Sequence, residues 1–442
     1  MRTFKNLKFG ALVPGLLHDP LPRLSQLTDG SDEITLFAVG AWCTYLLNRP
    51  ADVRQVLHED SAMYDRARLI VGLEPLIGGG LFTSDEETWV KQRQLLNPAF
   101  RPSGDHELAK VTREELDRAL ADLKSSAAAG PVDLEHPLKC LCFRILSRVM
   151  FSPDLHPDHE TLIRSLDLIL QSASMRSQLI RFAKAPWKPL VDPDAPISPD
   201  VHDALTVVNA YIHQLLDGVA DGTLSPGHIL ALLGKALESG EMDRSEARDH
   251  IATFLFAGFD TVAEMLTWAM HLLGTHPEVQ EELHGQVADT DELDCPWAVL
   301  PDGRGDLLQH VLFEALRLYP PAWAFFRRPK DHQQVGEERV KKGTGVMVCP
   351  YTLHRNSKHW ENPDSFEPER YVDKPEPAAY IPFGFGKHTC VGRRMAIVEG
   401  RVLLAGLVRA FRIGVAHDPE PKIRPGIIIQ SAKPLRFVLE PR

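Results

Sequence analysis

Between about residues 105 and 290, apolar residues recur at three- and four-residue spacing almost without a break, which is the period of amphipathic helices. The interruptions are rich in Pro and Asp, as in SPDLHPDH (152–159) and VDPDAPISPD (191–200). Strand-like runs lie nearer the ends. EITLFAV (33–39) and WCTYLL (42–47) predict two strands joined at Gly40-Ala41, and Asn48-Arg49-Pro50 then starts a helix through Val56 and Leu57. VMVC (346–349) and LRFVL (435–439) predict strands late in the chain. There is no internal repeat, low-complexity run or flexible linker. The pattern therefore predicts a mainly α protein with small accessory β-sheets and a single domain over 1–442. Its β-rich part is expected at about 1–60 and its helical body at about 60–442.

The longest predicted helix runs from about 243 to 275 and is apolar nearly all round at its centre, so it should cross the middle of the fold. It carries Gly258, which costs about 1 kcal/mol relative to alanine inside a helix. Thr261 can bond back to the carbonyl of Ala257, four residues earlier, and so bend or open the helix. One reading is a kink with a close helix contact. The other is a groove beside a bound cofactor, with Asp260 and Thr261 poised over it.

PFGFGKHTC (382–390) puts a cysteine behind a glycine-rich turn. After it, Met395, Val398, Val402, Leu403, Leu407 and Phe411 mark one stripe of a long amphipathic helix, so Cys390 sits at or just before a helix N-terminus. Unpaired N–H groups and the helix dipole favour a thiolate there. Gly384 and Gly386 permit a tight turn. A thiolate on a rigid turn suits a haem iron, although most free cysteines are buried small hydrophobes.

Composition narrows the classes. The chain has 442 residues, of which 44% are hydrophobic and 25% charged, which is ordinary for a soluble globular protein. A net charge of -11 argues against nucleic acid as a partner. Its six cysteines show no C-x-x-C pair or zinc-finger spacing, and their scatter suits a reducing compartment. The N-terminal apolar run is broken by Pro14, and no stretch approaches the roughly 18 apolar residues of a membrane span. A cytoplasmic protein without a transmembrane anchor is expected.

Four motifs now bear on identity. Phe383-Gly384-Phe385-Gly386-Lys387-His388-Thr389-Cys390-Val391-Gly392 resembles the haem-binding loop of the cytochrome P-450 monooxygenases. AGFDT (257–261), EALR (314–317) and FEPERY (366–371) resemble further motifs of that family, in its order. The resemblance implies the cytochrome P-450 fold, with a long central helix over the haem. It also implies haem b (iron protoporphyrin IX) held by the Cys390 thiolate in a loop shaped by Phe383, Gly384 and Gly392. Ala257 and Gly258 would leave room above the iron, where Asp260 and Thr261 would relay protons. Trp89 and Arg93 of WVKQR (89–93), with Arg327 and His388, would bind the haem propionates, and Arg328 leaves a one-residue shift open. Glu314, Arg317 and Arg370 would form a buried charge network bracing the loop. The substrate pocket would draw on 65–85, 172–190, Phe254, Ala257, Ala322 within 321–326, and Ile428 within 427–429.

The function so implied is insertion of one atom of O2 into a small hydrophobic molecule such as a lipid or terpenoid. A monomer is expected, fed electrons by a separate ferredoxin and ferredoxin reductase. Lys91, Arg101, Lys387, Arg393 and Arg394 would steer that ferredoxin despite the acidic total. The same residues would serve oxidative C–C or C–N coupling or a peroxide-driven reaction. A non-catalytic haem sensor would have no use for Asp260 and Thr261.

Overall fold

The computed structural model describes residues 2–4, 20–39, 42–66, 73–154, 158–173, 197–288, 306–372 and 378–442. Helices carry most of them. Those that matter below are α1 (Glu86–Leu96), α2 (Asp105–Ala128), α3 (Glu135–Leu146), α4 (His159–Ala173), α5 (Pro199–Ala220), α6 (His228–Ser239), α7 (Arg244–Gly258), α8 (Asp260–Thr275), α9 (Pro277–Val287), α10 (Leu307–Leu318) and α11 (Arg393–Ala410).

The strands are β1 (Arg2–Phe4), β2 (Thr35–Val39), β3 (Trp42–Leu47), β4 (Tyr64–Arg66), β5 (Val132–Asp133), β6 (Phe325–Pro329), β7 (Gln333–Val335), β8 (Glu338–Val340), β9 (Gly345–Val348), β10 (Phe411–Val415), β11 (Ile423–Pro425), β12 (Ile429–Ser431) and β13 (Arg436–Pro441). The largest sheet has the order β1-β2-β3-β9-β6-β4. The strands expected near 33–47 and at 346–349 thus meet in one sheet, with β3 parallel to β9. The turn at 40–41 lies outside the described residues. In the same sheet β4 pairs antiparallel with β6, which sets Arg66 opposite Arg327.

The helix expected over 243–275 is broken in two. A capping box of Asp243 and Glu246 starts α7, and Phe259 separates it from α8. Thr261 Oγ1 donates to Ala257 O at 2.9 Å, as its spacing suggested. A Cβ on Gly258 would lie 2.8 Å from Leu146 Cδ1, so this glycine lets α3 pack closely against the central helix. The segment from Arg244 to Thr275 is long and apolar enough to cross a membrane, but 78% of its most apolar window is buried inside the protein. That apolarity belongs to the core.

Two details of the last helix differ from expectation. Phe411 is not its final turn but the first residue of β10, paired with Pro441. Every residue from Val398 to Val408 is buried, so this stretch is sealed on all sides rather than amphipathic. The cause is packing against α2, α8, α9 and α10 together. Of its two ionisable residues only the arginine has a charge partner. Arg401 meets Asp306 at 2.6 Å, whereas Glu399 Oε1 has no hydrogen-bond partner and burial pushes that carboxyl up to about 8.

Candidate active site

The cysteine loop is built by two left-handed glycines. Gly384 has φ 74° and closes a turn by donating to Ile381 O at 3.0 Å. Gly386 has φ 73°, and a Cβ there would fall 2.3 Å from Leu57 O. Only glycine satisfies both demands. Gly386→Ala is therefore expected to lower stability by about 1–3 kcal/mol and to reduce haem content, readable from Tm and haem per chain.

Cys390 N donates to Phe383 O at 2.9 Å, and backbone N–H groups of Gly392 and Arg393 point at the sulfur. Gly392 caps α11, so the sulfur stands at the mouth of that helix. The residue is exposed, yet desolvation by the surrounding protein still raises its thiol pKa. A bound cation would reverse that balance, because backbone donors and Arg93 already favour the anion. Phe383 lies under Arg393, whose guanidinium carbon is 5.6 Å from the ring centroid.

On one side of the loop lies a cationic cradle. The Trp89 ring is buried 4.1 Å from the His388 ring, and the Arg93 guanidinium lies 5.8 Å from the indole. His388 Nε2 donates to Glu86 Oε2 at 3.0 Å, while Arg66 Nη2 donates to Nδ1 at 3.1 Å. Burial and the neighbouring Arg66 and Arg327 push His388 down to about 3, so the ring is neutral. Desolvation pushes the Arg66 and Arg327 guanidinium groups down to about 10. The Arg327 contact is a 3.0 Å bond to Phe326 O, not an ion pair. Clustered, desolvated guanidinium groups fit bound carboxylates, which is what haem propionates would supply. Arg327 stands opposite Arg66 across β4 and β6 and is one of the charges acting on His388. Arg66 gave no signal in the sequence, where it is a lone arginine in a short strand.

Behind the loop, Glu314 and Arg317 are fully buried. Arg317 donates to Glu314 through Nε and Nη2, both at 2.8 Å, and Arg370 Nε reaches Glu314 Oε1 at 2.9 Å. Arg317 Nη1 also donates to His354 O at 2.8 Å. His354 Nδ1 bonds Arg317 O at 3.1 Å, and its Nε2 accepts from Ile381 N at 2.9 Å. Burial pushes His354 down to about 3, so its neutral ring links the charge network to the turn that carries Cys390. His354 was not singled out from the sequence.

At the junction of α7 and α8, Ala257 is exposed and Thr261 is half-buried. Gly258 and Phe254 pack against neighbouring elements. The glycine faces Leu146, and the Phe254 ring packs 5.6 Å from Phe100. Asp260 is buried against Lys139 Nζ at 3.1 Å. The two late pocket segments are joined, since Trp323 Nε1 donates to Gly426 O and Ile429 N to Pro321 O, both at 3.0 Å. Ala322 and Ile428 are half-buried there. Most of 172–190 lies outside the described residues.

The family profile described as Cytochrome P450 matches residues 12–438. The chain is 32% identical to cyclooctatin synthase of Streptomyces melanosporofaciens, over 96% of this chain and 92% of that one. It is 26% identical to pentalenene oxygenase of Streptomyces avermitilis, over 96% and 93%. The crystal structure of CYP175A1 from Thermus thermophillus superposes with a TM-score of 0.75 at 24% identity, covering 100% of both chains, which speaks for the fold. The chain belongs to the cytochrome P450 family. It is an oxidoreductase of the monooxygenase class, and membership implies haem held by a cysteine thiolate.

Proposed function

We propose that this chain oxidises a small cyclic terpenoid, with Cys390 as the haem ligand and electrons from a separate ferredoxin and ferredoxin reductase. The observation that carries the reading is the exposed Cys390 sulfur at the mouth of α11, beside the cationic cradle of Arg66, Arg93 and His388. When bound there, the haem would supply oxygen activation, favoured by charge from a thiolate ligand. Arg66, Arg93, Arg327, Trp89 and neutral His388 hold the cofactor's acidic edge. The Glu314–Arg317–Arg370 network and His354 fix the loop. Ala257 leaves space on the far wall, and the Thr261 hydroxyl, bonded to Ala257 O, keeps lone pairs free to accept a proton. Asp260 stands behind it as the proton source.

The names of the two relatives support a terpenoid substrate, and the apolar stretch around Ala322 and Ile428 suits one. The test is the haem absorption shift on titrating cyclic terpenes, fatty acids and aromatic compounds. A shift confined to the last two classes would overturn the substrate reading. Thr261→Ala is expected to keep haem and substrate binding while product per NADPH falls about tenfold, with peroxide released instead. Unchanged product per NADPH would remove Thr261 from the relay. Turnover on peroxide alone, with no gain from ferredoxin and reductase, would favour a peroxide-driven reaction.

The cations expected to steer a ferredoxin are largely offset. Lys387 meets Glu86 at 2.7 Å, Arg394 meets Asp105 at 2.5 Å, and Lys91 meets Glu87 at 3.5 Å. Each pair cancels charge at a distance, which leaves shape and local contacts to hold the partner.

A further inference from the structure

The central helix carries a buried polar side chain with no partner among the described residues. His250 on α7 is fully buried, and neither ring nitrogen makes a hydrogen bond. Among the described residues it is the one histidine with both nitrogens buried and unpaired. His354, equally buried, uses both of its nitrogens. Burial pushes His250 down to about 4, so its ring is neutral and offers one N–H donor and one acceptor. Leaving such a group unpaired inside a protein costs free energy, and native structures rarely do so without a reason.

Its surroundings limit where the ring stands. Ala257 follows seven residues later, two turns on, so the two side chains share one face of α7. Every residue from His250 to Phe256 is buried, whereas Ala257 is exposed, so open space begins on that face. One turn beyond His250, Thr253 and Phe254 flank the same face. Thr253 meets the glycine loop, where a Cβ on Gly80 would lie 2.3 Å from Thr253 Oγ1. The Phe254 ring packs 5.6 Å from Phe100, just beyond the end of α1. The His250 face is therefore framed by the loop at 78–80 and by α1.

α1 supplies a matching group. Gln92 Nε2 donates to Gly79 O at 2.9 Å, and Asp249, next to His250, accepts from Gly79 N at 2.7 Å. Gly79 is thus held from both helices. Gln92 is buried as well, and its Oε1 has no partner. An amide oxygen that only accepts and an imidazole that can donate thereby flank one loop. A hydroxyl group fits that pattern, since it both donates and accepts, and a hydrocarbon fits none of it.

We propose that His250, with Gln92, is the polar end of the substrate site and binds a hydroxyl group of the substrate, so that the terpenoid oxidised here is already an alcohol. The His250 N–H donates to the hydroxyl oxygen, and the hydroxyl donates to Gln92 Oε1. Seven residues of helical rise set His250 about 10 Å from Ala257, so the oxidised carbon lies on the order of 10 Å from that hydroxyl. Such a span suits a multi-ring terpenoid alcohol. The reaction that supplies it must install an alcohol, as a cyclisation ended by water or an earlier hydroxylation does. The inference rests on the terpenoid reading.

The experiment titrates two matched pairs, cedrene with cedrol and abietadiene with abietadienol, against the haem absorption of wild type, His250→Phe and His250→Gln. Wild type should bind each alcohol about tenfold tighter than its hydrocarbon. His250→Phe should abolish that preference and keep the hydrocarbon affinity, whereas His250→Gln, with a donor and an acceptor, should retain part of it. Ligand-free unfolding is the second readout, because replacing an unpaired buried imidazole by a phenyl ring should leave Tm unchanged or raise it. No preference for the alcohols in wild type, or an equal preference in His250→Phe, overturns the proposal. A Tm lower by several degrees with unchanged ligand preference means that a structural water holds the ring, which overturns it too. If His250→Phe does not fold, His250→Leu makes the same comparison. If no terpene shifts the absorption, the terpenoid reading fails by itself, and dodecane against dodecanol still tests His250 as a hydroxyl site.

Discussion

Cys390→His is expected to reduce oxygenase turnover by about three orders of magnitude, equivalent to ~4 kcal/mol of barrier, while the chain stays folded. The residue is exposed, so an imidazole meets no packed core there. What is lost is the anionic sulfur and its charge donation, which a neutral ring does not replace. The mutant should retain some haem but lose the strongly red-shifted absorption of the reduced carbon monoxide complex. An unchanged spectrum would remove Cys390 as the ligand. Replacing Cys43, Cys140, Cys142 or Cys349 by Ala should leave that absorption in place. Cys142 and Cys349 are buried, and their loss should cost stability only.

Arg317→Ala is expected to be the most destabilising single change at the site. The guanidinium is fully buried and also donates to Pro363 O at 2.5 Å and Ser365 O at 2.8 Å. Its removal takes both bonds of the bidentate pair from Glu314, which keeps only Arg370 as a cationic partner, and strands three carbonyl groups, a loss of about 3–5 kcal/mol where a whole domain holds roughly 5–15. Arg317→Lys should rescue little of this, because a point ammonium cannot match a fork of five donors. Denaturant unfolding and haem per chain would show it. A shift below about 1 kcal/mol would mean that the network is not what holds the loop.

How much of this could be read in the sequence depends on how local each feature is. The loop around Cys390 was legible because its glycines, its cysteine and the following helix lie within a few turns of chain. Glu314 and Arg317 were legible as neighbours on one helix face. Thr261 bonding back to Ala257 followed from spacing alone. Arg66 was not legible, since its partner His388 lies 322 positions away and a short strand has no periodic signal. Lys139 was hidden for a related reason, because on a helix of ordinary composition nothing marks a lysine as facing inward. The break at Phe259 was foreseen only as a choice between a kink and a groove. The structure shows the break and the close helix contact at Gly258, with Thr261 bonded back to Ala257.

That break has a consequence for recombining this chain with a relative. Phe259 looks like a natural crossover point, since α7 and α8 meet there as separate helices. Yet α3 holds both of them, Leu146 filling the notch at Gly258 and Lys139 pairing with Asp260. A chimera that exchanges α7 without α3 would set a foreign residue against Leu146. One that exchanges α8 without α3 would leave Lys139 or its counterpart facing a stranger. Residues 135–146 and 244–275 should therefore be inherited as one block, although about a hundred positions separate them in the chain.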